Sequence, residues 1–314
     1  MIFITPNPAI DRIIIVPGIR VGEVHRSSNS MVVAGGKGLN AARAVRSLGG
    51  ISICMGFIGG NSGRFVARLA QEEGLECAWT STRMQTRTCY HIIDETSGET
   101  TVVNEYGPVV KEECWDLLET DILATLSLRG IETDGYICFC GSLPPGDTLS
   151  RFGGLIRTLG EAGHNVWVDT SGEALRVALD SAPAGIKVNA AEAGAALGRY
   201  SGTMEEVLAM TESIRSRGIP SVILTMGKNG AILANEQGTW QAAPPEVRAG
   251  SASGSGDAFF GAFILALEQN KSQPDALCDG VAAGAANTLA PGGGRFARAT
   301  FDALRANVAL YRIR

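Results

Sequence analysis

The residues Gly254, Ser255, Gly256 and Asp257 form the stretch whose types and spacing most clearly indicate chemistry. The phenylalanine-rich segment that follows them predicts a buried helix, which places the glycines at its first turn. Backbone N–H groups of such a turn, together with the positive end of the helix, can hold phosphate oxygens. A carboxylate there can accept the proton of an attacking hydroxyl group. The stretch therefore indicates phosphoryl transfer, with a plain helix cap as the structural alternative.

A second glycine-rich loop covers residues 35–40 and leads from a predicted strand into a predicted helix. It lacks the spacing of a Walker A loop. Lys37 and Asn40 are potential donors to sugar hydroxyls or to phosphate, and a simple strand-to-helix turn is the alternative. Asp11 lies between apolar neighbours, which suggests a carboxylate that points into a cleft and accepts two hydroxyl groups. Its alternative is a turn residue after Pro8.

Two further segments follow predicted strands. Asn189 and Glu192 are three residues apart, so they share one face if a helix begins there and could hold Mg²⁺ through water. The alternative is a helix start in which Asn caps and Glu reaches back. Residues 225–230 end a strand in a glycine turn, which favours either nucleotide contacts or only a tight turn.

The composition limits the classes of partner. The chain has 314 residues, of which 45% are hydrophobic and 19% charged, with a net charge of −5 and no basic run. Nucleic acid and anionic membranes are therefore not expected as partners. Asp11 and Arg12 interrupt the first apolar stretch, so no signal peptide is expected, and the apolar runs are too short for a membrane span.

The cysteines fit a reducing compartment. There are seven of them, an odd number, and no CxxC pair occurs. Cys138 and Cys140 lie in an apolar run that predicts a buried strand, which favours core thiols over a metal site. These features together predict a cytoplasmic protein.

The hydrophobic pattern alternates between strands and helices, which is typical of a parallel sheet wrapped by helices. Strands are predicted at residues 1–5, 13–16, 31–34, 51–58, 137–140, 166–169, 185–188 and 222–225, and helices at 39–48, 65–73, 149–161 and 205–217. Each strand leads into a loop rich in Gly, Ser, Asn or Asp. Ligands bind at the carboxyl ends of the strands in sheets of this kind, so these loops are expected to form the site.

The alternation stops between residues 87 and 104. Two short strands, at 87–93 and 100–104, surround a turn at 96–98 without an intervening helix, which predicts a hairpin outside the main sheet. With residues of about 12–34, this segment of 87–105 could form a small second sheet that acts as a lid over a site.

The set of motifs resembles the PfkB, or ribokinase-like, carbohydrate kinases over essentially the whole chain. The motifs that carry the resemblance, in order, are Thr5-Pro6-Asn7-Pro8-Ala9-Ile10-Asp11, the loop at 35–40, Thr86-Arg87, Gly141-Ser142-Leu143-Pro144-Pro145-Gly146, Asp169-Thr170-Ser171-Gly172, the segment 189–192, the segment 225–230 and Gly254-Ser255-Gly256-Asp257. The resemblance implies one α/β ribokinase-like domain over residues 1–314, with a mostly parallel central sheet flanked by helices and a small β-sheet lid. It also implies a homodimer that forms through the lid.

The resemblance further implies roles at matching positions. The implied roles are Asp257 as catalytic base with Gly254, Ser255 and Gly256 as anion hole; Asp11, Gly36, Lys37 and Asn40 for the sugar; Arg87 and Ser142 for its phosphate; Lys187, Thr225, Gly227, Gly230 and Asn287 for the nucleotide; and Asn189 and Glu192 for Mg²⁺, through water. Two places depart from the family pattern. Ser251-Ala252-Ser253 precedes the anion hole in place of the family pattern, so this segment does not predict the details of the nucleotide loop or a monovalent-cation site. Lys187-Val188-Asn189 lacks the usual proline.

Within the family the sequence looks most like the phosphofructokinase branch. That branch implies ATP-dependent phosphorylation of a ketohexose monophosphate to the bisphosphate, and fructose 1-phosphate is the first candidate substrate. Tagatose 6-phosphate and fructose 6-phosphate are alternatives, and a non-catalytic sugar-phosphate sensor is a more distant one. A dehydrogenase is disfavoured because Pro6-Asn7-Pro8, and not a GxGxxG motif, follows the first strand.

Overall fold

The structure is a computed structural model that describes residues 1–27, 29–131, 133–146, 148–199, 202–247, 250, 252–290 and 292–314. Its strands are β1 (Ile2–Ile4), β2 (Ala9–Val16), β3 (Asn29–Gly35), β4 (Ile53–Gly59), β5 (Glu76–Thr82), β6 (Arg87–Asp94), β7 (Thr100–Asn104), β8 (Tyr136–Cys140), β9 (Asn165–Asp169), β10 (Gly185–Asn189), β11 (Ser221–Thr225), β12 (Ala231–Asn235), β13 (Gly238–Ala243) and β14 (Ala309–Arg312). Its helices are α1 (Lys37–Ser47), α2 (Gly60–Glu72), α3 (Glu112–Leu128), α4 (Leu149–Glu161), α5 (Gly172–Asp180), α6 (Ala190–Leu197), α7 (Met204–Arg215), α8 (Ser255–Glu268), α9 (Gln273–Thr288) and α10 (Arg298–Arg305).

The large sheet has ten strands in the order β14-β13-β12-β11-β10-β9-β8-β1-β4-β5. The strands from β11 to β5 pair in parallel, as the alternation of strands and helices predicts. The strands β12, β13 and β14 extend the sheet in antiparallel pairing. The carboxyl ends of the central parallel strands therefore meet at one edge, where the polar loops lie.

The small sheet has the order β3-β2-β6-β7. Strands β6 and β7 pair antiparallel and confirm the predicted hairpin. The small sheet begins earlier than the segment of about 12–34 that the sequence suggested, because β2 starts at Ala9 and runs through Asp11 to pair with β6. Asp11 is thus a strand residue and not a turn residue.

Helices cover both faces of the large sheet and bury two hydrophobic clusters. On one face Phe260 and Phe263 of α8 pack against the sheet, with ring centroids 6.3 Å from Phe3 and 5.1 Å from Trp167, respectively. These large aromatic contacts fix α8 across the sheet, and with it the glycine turn at its start. Cys138 and Cys140 are buried free thiols, as expected for core residues.

Four strands had no counterpart in the sequence analysis: β5, β12, β13 and β14. Strand β14 forms an edge of the large sheet and keeps Leu310 and Tyr311 exposed, so its pattern does not indicate a buried strand. The boundaries elsewhere shift by a few residues; for example, α2 begins at Gly60 and not at 65. In the described part of the chain, no helix combines the length and the apolar character needed to cross a membrane.

Candidate active site

The glycine turn before α8 has the geometry that the sequence indicates. Gly254 adopts φ 75° and ψ 0°, a left-handed conformation that favours glycine, and α8 begins at the next residue. Asp257 lies in the first turn of the helix and is only 8% exposed. A buried carboxylate at a helix start, where the positive end of the helix dipole lies, suits proton acceptance beside a bound phosphate.

Asp169, the last residue of β9, is the centre of a charged cluster. Its Oδ1 accepts a hydrogen bond from Lys37 Nζ, and its Oδ2 accepts one from Lys187 Nζ, both at 2.8 Å. Burial would raise the pKa of Asp169, but the two ammonium groups outweigh it and hold that pKa below its ordinary value. The pKa of Lys37 is raised although burial opposes this, because Asp169, Asp257 and Glu192 surround it. Two cations are therefore fixed on one buried carboxylate.

Asp257 has the opposite shift. Burial raises the pKa of Asp257 to about 6, and the charge of Asp169 adds to this, while Lys37, Lys187 and a hydrogen bond from Asn40 oppose it. A carboxylate with a pKa of about 6 is mostly ionised at neutral pH and still basic enough to accept a proton in a transition state.

Asn40, expected at the sugar, contacts Asp257 directly. Its Nδ2 donates a hydrogen bond to Asp257 Oδ2 at 2.8 Å. Its Oδ1 accepts one from Arg43 Nη1 at 2.6 Å. Asn40 therefore joins the loop at 35–40, at the start of α1, to the turn at 254–257 before α8.

Asn189 and Glu192 form the capping box that was the structural alternative. Asn189 Oδ1 accepts from the backbone N–H of Glu192, and Glu192 Oε2 accepts from that of Asn189. The other carboxylate oxygen, Glu192 Oε1, is 3.7 Å from Lys37 Nζ. Among the described residues, no group of three or more His, Cys, Asp or Glu side chains is arranged to hold a metal ion by itself.

A cavity of about 610 Å³ opens beside the glycine turn. Its wall includes Thr225, Gly227 and Gly230 on one side and Ser255 and Gly256 on the other. These are residues expected at the nucleotide and at the anion hole, so the structure brings the two sets together. The volume suits a ligand of nucleotide size.

Two of the residues expected at the nucleotide, Lys187 and Asn287, are not among those that line the cavity. Lys187 points at Asp169, as described above, and a Cβ atom at Gly256 would lie 3.0 Å from its Nζ. Asn287 is fully buried behind the turn at 254–257, where its Nδ2 donates to Ser253 O and Ser255 Oγ and its Oδ1 accepts from Gly294 N–H. Asn287 therefore holds the turn from behind and does not line the cavity. Ser251, in the departing segment, lies outside the described residues.

The residues expected at the sugar phosphate also come together. Arg87 Nη2 is 3.4 Å from Ser142 Oγ, and the guanidinium also donates to the carbonyls of Asn7 and Glu105. Asn7 Nδ2 donates to Leu143 O and Tyr106 O. The segment after β1, the segment after β7 and the loop that contains Ser142 therefore meet here.

Asp11 lies in the small sheet beside the loop at 35–40. Its carboxylate is 3.9 Å from His91 Nε2, and burial raises its pKa although His91, Arg43 and Arg87 oppose the shift. A Cβ atom at Gly35 would overlap the carboxylate of Asp11, so the glycine gives this side chain its space. Gly36, at φ 132°, precedes α1 and turns the chain into the helix that carries Lys37 and Asn40.

The sequence analysis assigned no role to Asp169, Arg43 or Asn7. Asp169 was visible as a polar residue that ends a buried strand, which is a usable signal. Arg43 was visible as a charged residue on the apolar side of α1, where it is 5% exposed. The partners of these residues could not be inferred from the sequence, because most of them lie far away along the chain.

The fold and the site together define a carbohydrate kinase with a hydroxyl group as phosphoryl acceptor. The chain matches the family model described as pfkB family carbohydrate kinase over residues 6–299, and it belongs to that family. The resemblance seen in the sequence is thereby confirmed, and the dehydrogenase alternative is ruled out.

Curated relatives cover most of the chain. The ATP-dependent 6-phosphofructokinase isozyme 2 of Escherichia coli (strain K12) is 32% identical over 291 residues, which span 92% of each chain. The 1-phosphofructokinase of the same organism is 31% identical over 274 residues, or 87% of this chain and 86% of the relative.

Solved structures share the fold. The phosphofructokinase-2 from Escherichia coli in complex with fructose-6-phosphate has a TM-score of 0.89 and 29% identity, covering 98% of each chain. A ribokinase from Thermotoga maritima superimposes with a TM-score of 0.76 at 21% identity, covering 98% of this chain and 99% of the other, which shows the fold alone. The ribokinase-like α/β fold with a separate small sheet is thus confirmed.

Proposed function

We propose that this kinase transfers the γ-phosphoryl group of ATP to a free hydroxymethyl group of a fructose monophosphate, giving the bisphosphate and ADP. The observation that carries the proposal is the position of Asp257. It lies buried on the same turn, 254–257, whose Ser255 and Gly256 form a wall of the nucleotide-sized cavity, and it is bonded to Asn40 of the sugar loop. The base is therefore between the place for the donor and the place for the acceptor.

The proposed transfer is a single displacement. Asp257 accepts the proton of the sugar hydroxymethyl, whose oxygen forms a bond to the γ-phosphorus while the bond to the β–γ bridging oxygen breaks. The amino end of α8, which begins at the turn at 254–257, supplies the positive end of a helix dipole for the charge that develops on the transferred group. Lys37 and Lys187, held by Asp169, supply fixed positive charge next to that turn. ADP leaves with the bridging oxygen.

The proposed pocket for the existing phosphate of the sugar is at Arg87 and Ser142. A guanidinium group has five N–H donors, and Arg87 uses most of them on the carbonyls of Asn7 and Glu105. These bonds fix the direction of the group, while the long 3.4 Å contact with Ser142 Oγ can be exchanged for a phosphate oxygen. A neutral sugar needs no such cation, whereas a phosphate monoester pairs well with Arg.

Asn189 and Glu192 are the proposed residues for Mg²⁺, acting through water. The capping box uses Asn189 Oδ1 and Glu192 Oε2, and Glu192 Oε1 remains directed towards Lys37. This donor set fits Mg²⁺, which keeps several waters and is often bound by one or two carboxylates together with substrate phosphates. When bound, the ion would neutralise charge on the ATP phosphates.

Two fructose monophosphates fit one pocket, because the furanose ring carries hydroxymethyl groups at both ends. The lysine-containing loop at 35–40 favours fructose 1-phosphate as the first candidate. Fructose 6-phosphate is the second, since a solved relative with a TM-score of 0.89 is described as a complex with it. The identities of 32% and 31% to the two kinds of phosphofructokinase do not separate them.

The test is ADP release measured by a coupled assay with ATP and Mg²⁺. The acceptors are fructose 1-phosphate, fructose 6-phosphate, tagatose 6-phosphate and the free sugars. We expect one fructose monophosphate to give the highest kcat/KM and free fructose to be turned over far more slowly. Equal activity on free fructose would contradict the proposal. Tight binding of a fructose phosphate without ADP release would instead support the sensor alternative.

Arg87→Ala tests the phosphate pocket in the same assay. We expect KM for the sugar phosphate to rise at least about tenfold, the scale of a lost charge-assisted hydrogen bond, with KM for ATP nearly unchanged. Arg83→Ala, in the loop before β6, is a matched control and should behave as wild type. An Arg87→Ala enzyme with unchanged sugar KM would show that the phosphate binds elsewhere.

A further inference from the structure

Arg43 is a buried cation inside α1 that the proposed reaction does not yet use. It is 5% exposed, and a buried guanidinium needs partners for its N–H groups. Its Nε and Nη2 donate to both carboxylate oxygens of Glu73, its Nη2 also donates to Ala34 O, and its Nη1 donates to Asn40 Oδ1. Glu73 and Ala34 therefore hold the guanidinium group on one side, and its Nη1 donates to Asn40 on the other.

Glu73 stays ionised in this arrangement. Burial would raise its pKa, but Arg43 and Arg295 outweigh burial and hold that pKa below its ordinary value. Arg295 Nη2 is 3.3 Å from the same carboxylate. Glu73, which holds Arg43, is thus an ionised carboxylate that also contacts a second cation, Arg295.

The contact with Arg43 determines which way the Asn40 amide faces. A guanidinium group only donates hydrogen bonds, so the Asn40 atom that faces Arg43 must be the oxygen. An ionised carboxylate only accepts, so the atom that faces Asp257 must be the nitrogen. The two contacts, at 2.6 Å and 2.8 Å, agree with each other, and a flipped amide would lose both.

Packing also restricts this pair of residues. A Cβ atom at Gly293 would lie 2.6 Å from Asn40 Cγ, and one at Gly294 would overlap the backbone oxygen of Asn40 and lie 3.0 Å from Arg43 Cβ. The backbone before α10 therefore lies directly on the Asn40 and Arg43 side chains and limits their movement.

We propose that Arg43 is a positioning residue for phosphoryl transfer: it orients the Asn40 amide so that Nδ2–H holds Asp257 Oδ2, which directs Oδ1 to the hydroxyl proton. This inference rests on the proposed role of Asp257 as the base. Arg43 touches neither substrate in this scheme. It acts through Asn40, along a chain that runs from Glu73 to Arg43, Asn40 and Asp257.

Loss of Arg43 has a defined consequence at the base. The Asn40 amide becomes free to turn its oxygen towards Asp257, and the bond that lowers the pKa of Asp257 is then lost. The other charges that face Asp257 are Asp169 from β9, Lys187 from β10 and Lys37 from α1, and the substitution leaves them in place. The pKa of Asp257 should therefore rise, and its carboxylate should be less well aimed.

The experiment compares Arg43→Met and Arg43→Lys with Arg46→Met. Arg46 is a matched control because it is one turn further along α1, is exposed and donates to Gly74 O. We expect Arg43→Met to lower kcat by about 10²-fold, the scale of a misplaced catalytic group, and to move the acidic limb of the pH profile upwards. Arg43→Lys should lie between Met and wild type, Arg46→Met should match wild type, and KM for ATP should stay constant throughout.

A second readout needs no substrate. The pKa of Asp257 is measured by carboxyl ¹³C NMR of the free enzyme and assigned with Asp257→Asn. A higher pKa in Arg43→Met than in wild type supports the inference even if the sugar has been misidentified. A folded Arg43→Met enzyme with wild-type kcat and an unshifted Asp257 pKa would overturn it. If Arg43→Met does not fold, Arg43→Lys decides by the same two measurements, and wild-type values there overturn the inference.

Discussion

Asp257 and Asp169 are two buried aspartates whose pKa values are pushed in opposite directions. Two lysine ammonium groups hold Asp169 and keep its pKa low, whereas burial and the neighbouring Asp169 charge raise the pKa of Asp257 to about 6. Separated pKa values of this kind assign different tasks to the two groups. Asp169 is suited to remain an anion that fixes cations, and Asp257 to exchange a proton.

Asp257→Asn should lower kcat by about 10²- to 10⁴-fold, because the amide cannot accept the hydroxyl proton. In wild type, activity should fall as the pH drops below about 6, where Asp257 becomes protonated. The substrate phosphate also titrates near pH 6, so the limb that disappears in Asp257→Asn is the one due to the enzyme. Steady-state kinetics from pH 5 to 8 measures both effects.

Asp180→Asn is the matched control for that substitution, because its carboxylate is 74% exposed and lies on the last turn of α5. It should leave kcat and the pH profile unchanged. Near-wild-type turnover by Asp257→Asn, with its fold retained by circular dichroism, would remove Asp257 from the role of base.

At the scale of the elements, one side chain orders the end of the small sheet where β6 turns towards β7. Asp94, the last residue of β6, accepts hydrogen bonds from the backbone N–H groups of Gly18, Ile19, Thr96 and Ser97. Backbone bonds from Ile19, Thr96, Gly18 and Ser97 lower the pKa of Asp94 to about 2, against a smaller opposing effect of burial. A carboxylate whose pKa is lowered on folding stabilises the fold above its unfolded pKa and loses that contribution as the pH falls towards 2.

Asp94→Ala should therefore speed amide hydrogen exchange at residues 16–19 and 94–98 at pH 7, because four backbone donors lose their acceptor. Exchange measured by mass spectrometry should change little in the large sheet. Glu95→Gln is the control, since that neighbouring side chain is exposed. Unchanged exchange at both segments would mean that Asp94 does not order this end of the small sheet.

Exchange over the hairpin also tests whether the small sheet is a lid. Exchange at residues 87–104 should slow when the sugar phosphate and a non-hydrolysable ATP analogue are both bound, because closure would exclude water from the transferred group. If protection is the same with and without ligands, the sheet does not close.

At the scale of the whole molecule, the edge strand β7 is the least covered part of the small sheet. All residues of β7 are exposed, and Val102 and Val103 are 48% and 52% exposed. We propose that a second copy of the chain covers this strand, as the family resemblance suggested. A solved relative, phosphofructokinase-2 from Escherichia coli, is described as having a tetrameric inhibited form.

Light scattering on the purified protein should give the mass of two chains, and Val102→Glu/Val103→Glu should reduce it to that of one, because two charges would be buried in the contact. Leu128→Glu, at an 86% exposed leucine on α3, is the control and should stay dimeric. A monomeric wild-type protein, or a double variant that remains dimeric, would exclude this surface as the interface.

The features that the sequence by itself determined are those with a local physical cause. Alternating apolar segments require a parallel sheet wrapped by helices, and two short strands without a helix between them require a hairpin. The turn at Gly254 could be recognised because a left-handed residue before a buried helix favours glycine. The antiparallel strands β12 to β14 extend the sheet beyond the alternating pattern, and that pattern did not indicate them.

Only the tertiary structure decided how the site residues are paired. Lys37 and Asp169 are 132 residues apart in sequence, and Asn40 and Asp257 are 217 apart. The sequence did not reveal that Lys37, expected at the sugar, is bonded to Asp169, or that Asn287, expected at the nucleotide, lies behind the turn at 254–257. Burial and charge pairing depend on which strand ends and helix starts meet, and no local stretch of sequence contains that information.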